Sequence, residues 1–332
     1  MSQPTVLYAR RGPLAVLSSM VDYLAMVTVL VLLVAVFGLL SERFLSFGTF
    51  RMITHQIPPL LIASVGMTYV LVIAGIDLSV GSVLALGSAV LGVCMVRYGL
   101  PAPVAIAACI GAGLCCGLIN GSLTIAWRLP SFIVTLGMLE MARGATYLVT
   151  GSKTQYIGSP IASIAAASIF GVSLPFSKPF LIALAVVIAG QLVLSYTVFG
   201  RYMVAIGTNE EAVRLSGIDP RPIKVIVFAL CGTLAAVAAV MDTARMQSAD
   251  PNMRMGFELQ VIAAVVIGGT SLMGGRGSVV RTFLGALIIA VLGAGLAVID
   301  VGDPTKRLIT GAVIVAAAVL DYYRQRLKRP PR

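Results

Sequence analysis

The chain has 332 residues, 58% of them hydrophobic and 11% charged, with a mean hydropathy of +0.99. Soluble domains carry about 25% charged residues, so a soluble fold of this length could not cover its surface, and the composition specifies a multi-pass membrane protein. The net charge of +11 does not imply nucleic acid, because its largest cluster, RQRLKR, flanks the last apolar run, where cations usually mark the cytoplasmic side.

A span needs about 20 apolar residues. The first run, about 21–41, has that length and lacks a small-residue cleavage site, so it is expected to be a retained span and not a cleaved signal. Further runs follow at about 57–75, 79–97, 102–126, 131–150, 179–199, 222–243, 257–273, 279–299 and 306–322. Gly and Pro punctuate most of the boundaries, among them Pro130, Gly151, Pro179, Gly200 and Pro220. The predicted class is all-α: a polytopic membrane protein of about ten transmembrane helices, with short loops and no soluble domain. Residues 1–20 are expected as a cytoplasmic tail, 21–322 as the membrane domain and 323–332 as a basic cytoplasmic tail. The Lys and Arg bias is strongest at that tail and at 200–224, which puts both termini inside and 151–178 outside.

Within the oil, AGIDLSVGSV interrupts two runs of about 17 residues. This length suits full spans, so the break reads as a hairpin recessed between them. Asp77 or Ser79 can cap the N–H groups of the second helix, while Gly75 and Gly81 allow close backbone approach. One reading is a capped turn. The other is a polar break along a translocation path, with Asp77, Ser79 and Gly81 as its residues, since irregular backbone at depth is tolerated only inside protein or along a cavity.

Other ionisable groups inside apolar runs are candidates by default. Glu140 and Arg143 stand three apart, as do Asp242 and Arg245, a spacing that permits neutralising pairs on one helix face. His55, the single histidine, reads as interfacial. The five cysteines all lie in apolar runs without metal-ligand spacing and are expected as small packing residues.

The most charged internal stretch is TNEEAVRLSGIDPRPIK. Thr208 and Glu211 have capping-box spacing, Glu210 and Glu211 suit the positive end of a helix dipole, and Gly217 supplies a left-handed stop. A helix of about two turns is predicted, either a well-capped connector or a docking helix for a cytoplasmic partner. The glycine-rich GGTSLMGGRGS lacks the Lys and the soluble strand of a phosphate-binding loop and reads as closely packed backbone at a tight turn. VLVIAGIDLSVGSVLALGSAVLG and AVVIGGTSLMGGRGSVVRTFLGALI share one pattern, an apolar run, a glycine-rich break, Gly-Ser-Val and a second apolar run. That echo records either a duplication or two similar joints.

Four ordered motifs, IAGIDLSVGSVLAL, INGSLTIAWRLPSFIVTLGMLEMARG, GRYMVAIGTNEEAVRLSGI and ELQVIAAVVIGGTSLMGGRGSVV, resemble the permease subunit of bacterial ABC importers of the ribose type, over about residues 25 to 322. The resemblance implies a transport subunit of about ten helices in the inner membrane, not an enzyme, with no cofactor of its own. ATP and Mg would be bound by a cytoplasmic ATPase. An extracytoplasmic binding protein would deliver a monosaccharide, and a second permease chain, identical or paralogous, would complete the pair. Nucleic acid is not among the partners. The ATPase-coupling helix of the family falls here on Thr208, Asn209, Glu210, Glu211, Arg214, Leu215 and Gly217. The chain departs from the family's usual wording at Gly293-Ala294-Gly295, at Met253-Arg254-Met255 and at Glu140. An ion-coupled carrier and a permease for another small solute, such as a branched-chain amino acid or a polyol, are the competing readings.

Overall fold

The computed structural model describes residues 13–165, 168–169, 172–173 and 176–327. The first twelve residues and the last five, which carry the ends of both expected tails, lie outside the described residues. The helices in chain order are α1 (Pro13–Leu40), α2 (Phe47–Gln56), α3 (Pro58–Val72), α4 (Val80–Val96), α5 (Ala102–Ala126), α6 (Ser131–Thr150), α7 (Ser159–Ala165), α8 (Lys178–Tyr196), α9 (Val198–Thr208), α10 (Glu210–Leu215), α11 (Pro220–Met246), α12 (Phe257–Ile267), α13 (Val279–Val298) and α14 (Asp303–Leu327). Helix therefore begins at Pro13 and continues to Leu327, inside what the sequence assigns to the two tails. Four two-residue strands complete the described residues. Antiparallel β1 (Gln155–Tyr156) and β4 (Ser248–Ala249) pair Gln155 with Ala249, and β2 (Ser168–Ile169) pairs with β3 (Val172–Ser173).

Among the described residues, six helices are long and apolar enough to cross a membrane: the Tyr23–Leu40 part of α1, and α5, α6, α8, α11 and α13. The α2–α3 pair, bent by 44°, makes a seventh if it is one span. The expected ten is not reached on this measure, which leaves out α14 and the two short apolar helices α4 and α12. In lipid every backbone polar group must be paired internally, which favours helices of this kind.

The core surrounds α3 and α11. All fifteen residues of α3 are buried, and α11 packs against α5, α3 and α4. The α5–α11 contact depends on small residues. Gly113, Gly117 and Gly121 recur every fourth residue, and a Cβ on Gly117 would meet the Phe228 carbonyl and lie 2.8 Å from the Ala229 Cα. Such small-residue stripes let backbones approach where no hydrophobic effect drives helices together. A second cluster joins α1 to α13, with the Phe37 ring seated on Gly295.

Candidate functional site

α11 is 27 residues long and rises about 40 Å at 1.5 Å per residue, so its two ends lie on opposite sides of the bundle. Each end carries a cluster of charged residues.

At the Pro220 end, the Thr208 hydroxyl closes α9 by donating to the Val204 carbonyl at 2.7 Å. Asn209 is extended, and its side-chain oxygen accepts the Ala212 N–H at 3.0 Å. The N-cap is thus Asn209, and the box expected between Thr208 and Glu211 does not form. The reason is local: a helical threonine bonds back to its own helix, and the first non-helical residue inherits the capping role. Glu211 holds Arg214 at 2.6 Å, and Glu210 holds Lys224 of α11 at 2.9 Å. Gly217 ends the helix at φ +84, as its position suggested. Val213 is buried inward, whereas Leu215 is 80% exposed. The structure thus gathers the seven expected coupling residues onto one short, stapled element. Beside it lies a cavity of about 450 Å³ lined by Arg128, Glu210, Arg214, Arg221 and Lys224 among others.

This element touches the second glycine-rich break, which in turn lies against the first. Gly275 N–H donates to the Val72 carbonyl at the end of α3 (2.9 Å), and a Cβ on Gly275 would lie 2.5 Å from the Thr208 hydroxyl oxygen. Gly274 (φ +81) lies against Ala74, itself left-handed at φ +61. The two sequence echoes therefore meet at this joint.

The break around Asp77 is recessed and its polar groups are internally paired. Asp77 is 1% exposed, and its Oδ1 accepts from Ser79 N (2.9 Å) and Ser79 Oγ (2.6 Å). Asn120 Nδ2 donates to Ser79 Oγ at 3.0 Å. The Cys231 thiol is a further hydrogen-bond partner of Asp77. Ser131 and Thr135 of α6 take the Ile76 and Leu78 N–H groups, at 2.9 and 3.1 Å. Ser79, the N-cap of α4, makes no side-chain cap, so the carboxylate closes the turn just before the helix instead of capping the helix proper. Gly81 leaves room for the Glu258 carboxylate of α12. Asp77, Ser79 and Gly81 do not line the cavities at either end of α11.

At the Met246 end, Asp242 is 2% exposed and clamped by two arginines. Arg245 reaches Oδ1 at 3.0 Å, the pair read from spacing. Arg254, from the loop before α12, adds Nε to Oδ2 at 2.6 Å and Nη2 to Oδ1 at 2.8 Å. Both arginines line a cavity of about 360 Å³ with Gln56, Gln260, Gly293 and Ala294. The other expected pair does not form. Arg143 donates to the Pro251 and Met253 carbonyls (2.9 and 3.1 Å), and Glu140 faces outward. The loop carbonyls, and not the Glu140 carboxylate, take the Arg143 donors. His55 is partly buried on α2, near Arg51 and Arg245, and is not among the residues lining the cavity. Among the described residues no cluster of three His, Cys, Asp or Glu could hold a metal.

Helices long and apolar enough to cross a membrane, packed through glycine joints, define a multi-pass membrane protein. Residues 49–318 match the family described as the branched-chain amino acid transport system / permease component, and the chain belongs to that family. It is 38% identical over 303 residues to the ribose import permease protein RbsC of Escherichia coli (strain K12), covering 89% of this chain and 92% of the relative. The fructose import permease protein FrcC of Rhizobium meliloti is 33% identical (89% and 84% covered), and the D-allose transport system permease protein AlsC of Escherichia coli is 33% identical (88% and 89%). These relatives are ABC transporter permease subunits, which are not themselves enzymes. No solved structure matches the chain.

Proposed function

We propose that the chain is the membrane-spanning subunit of an ATP-driven importer, passing a monosaccharide across the bacterial inner membrane. A separate ATPase, which binds ATP and Mg, docks on 208–217. An extracytoplasmic binding protein delivers the solute at the Met246 end, and a second permease chain completes the path. Both termini are cytoplasmic, and α4, α12 and α14 complete a bundle of about ten spans. The relatives' names support a sugar as the solute.

The observation that carries this reading is the joint at 208–217. An exposed leucine on a helix tied to α11 by the Glu210–Lys224 pair is a surface suited to transmit push, and Thr208 touches the second break at Gly275, which bonds to Val72 at the end of α3. Motion of a docked ATPase would therefore reach α3 through Gly275 of the second break. Asp77, Ser79 and Gly81 act at the hinge beside the translocation path, outside the two cavities. The test is uptake by proteoliposomes holding the permease, its ATPase and its binding protein. Uptake should require ATP and persist when ion gradients are collapsed. Gradient-driven uptake without the ATPase would replace this reading with an ion-coupled carrier. The family description favours a second substrate reading, a branched-chain amino acid, which the same assay separates by labelled solute.

A further inference from the structure

We infer that the cavity at the Met246 end accepts a monosaccharide bearing one carboxylate, such as an aldonate or a uronate, in preference to a neutral sugar. This rests on the importer reading above and names the substrate class of the same path. The cavity brings together five elements: Gln56 of α2, Arg245 of α11, Arg254 of the following loop, Gln260 of α12 and Gly293 of α13. Its volume of about 360 Å³ is within the range of small-ligand sites, about 300–1,000 Å³.

The charge balance selects the ligand. Two guanidinium groups, permanently charged, share the single buried carboxylate of Asp242, which leaves one positive charge in excess. One arginine would have sufficed to neutralise Asp242. Asp242 Oδ1 takes Arg245 Nε and Nη2 and Arg254 Nη2, and Oδ2 takes Arg254 Nε. The Nη1 group of each arginine has no partner among the described residues, so each keeps donors for a ligand. Surrounding charge does not cancel the excess. Behind the same loop Arg143 and Glu258 attract and offset each other, which leaves the extra positive charge on Arg245 and Arg254.

Arg254 is held in place from two sides. Its guanidinium lies 4.9 Å from the Phe257 ring centroid, and its backbone occupies the left-handed region at φ +58, which favours glycine. A carboxylate accepts paired N–H donors from guanidinium groups, and the two glutamine amides suit sugar hydroxyls. A phosphate ester, at about −1.5 to −2 charge, would leave negative charge unmatched, whereas a monoanion balances the site.

The test uses the reconstituted importer with two labelled pairs, ribose against ribonate and galactose against galacturonate. The expected result is ATP-dependent uptake of at least one acid about tenfold above its neutral parent. Gln260→Glu places a negative charge in the cavity without touching the Asp242 clamp, and it should lower the acid-to-neutral ratio by about tenfold. Arg254→Gln should lower the same ratio, and Gln260→Glu keeps the test readable if that variant assembles poorly. ATP-dependent uptake of the neutral parents alone, or a ratio unmoved by Gln260→Glu, overturns this inference and leaves the importer intact. Acid uptake that follows an ion gradient and ignores ATP overturns the importer reading while upholding the charge preference.

Discussion

The two ends of α11 handle charge in opposite ways. At the Pro220 end the ion pairs are simple and wet: in the Glu211–Arg214 pair both side chains are more than half exposed. At the Met246 end one carboxylate, 2% exposed, holds two arginines beside a cavity. Exposed pairs contribute about 0–1 kcal/mol each, so the first end spends little stability on its charges and can exchange partners. A buried pair is costly to desolvate and costly to break, so the second end is fixed. A surface that must engage and release a motor suits the first arrangement, and a site that must keep its shape around a solute suits the second.

The sharpest way to break this contrast is Asp242→Asn, which leaves Arg245 and Arg254 facing each other without a carboxylate. The purified permease should lose about 3–5 kcal/mol, read as a large fall in melting temperature. An unchanged melting temperature would show that the clamp is not structural. Next comes Gly117→Val, whose added carbons strike the backbone of α11 at Phe228 and Ala229. Overpacking there should cost about 1–3 kcal/mol and reduce the amount of assembled protein in membranes. At the other end, the Glu211→Ala, Leu215→Ala double variant should change stability by less than about 1 kcal/mol while cutting ATP-dependent uptake severely. Full uptake with a normal ATPase complex would remove the docking role.

The smallest structural effect is expected from Asp77→Asn. Asn keeps an oxygen to accept from Ser79 and closes such turns about as well as Asp, so membrane levels should match wild type within about 1 kcal/mol of stability. Uptake at limiting solute should nevertheless fall, because the amide nitrogen puts a donor where the carboxyl group accepts in the Asn120–Ser79 network next to the joint. Wild-type uptake would reduce Asp77 to a turn former.

Sequence made the long elements plain, because apolar length and Gly or Pro punctuation are one-dimensional signals: α5 and α6 begin and end where the apolar runs do. Amphipathic α2 and α9 were missed. Arg51, His55 and Gln56 dilute the first, and Gly200 and Arg201 the second, so neither stands out as an apolar run. Identical i, i+3 spacing gave opposite outcomes. Asp242 and Arg245 pair because both are drawn inside, while Glu140 faces outward and Arg143 finds carbonyls. Arg254, twelve residues from Asp242 and beyond a turn, had no local signal linking it to that carboxylate. The stripe Gly113, Gly117, Gly121 is legible in its four-residue period, but among the chain's 34 glycines the period alone does not say which helix it packs against.

The most direct measurement is cross-linking from the two ends of α11 in a chain whose five native cysteines have been replaced. A single cysteine is placed at Leu215 or at Met246, both exposed, and the assembled importer is treated with a short thiol-reactive cross-linker. The expected result is that Leu215→Cys captures the ATPase, Met246→Cys captures the binding protein, and neither captures the other's partner. Capture of the binding protein from Leu215→Cys, or of the ATPase from Met246→Cys, would contradict the assignment of the two ends.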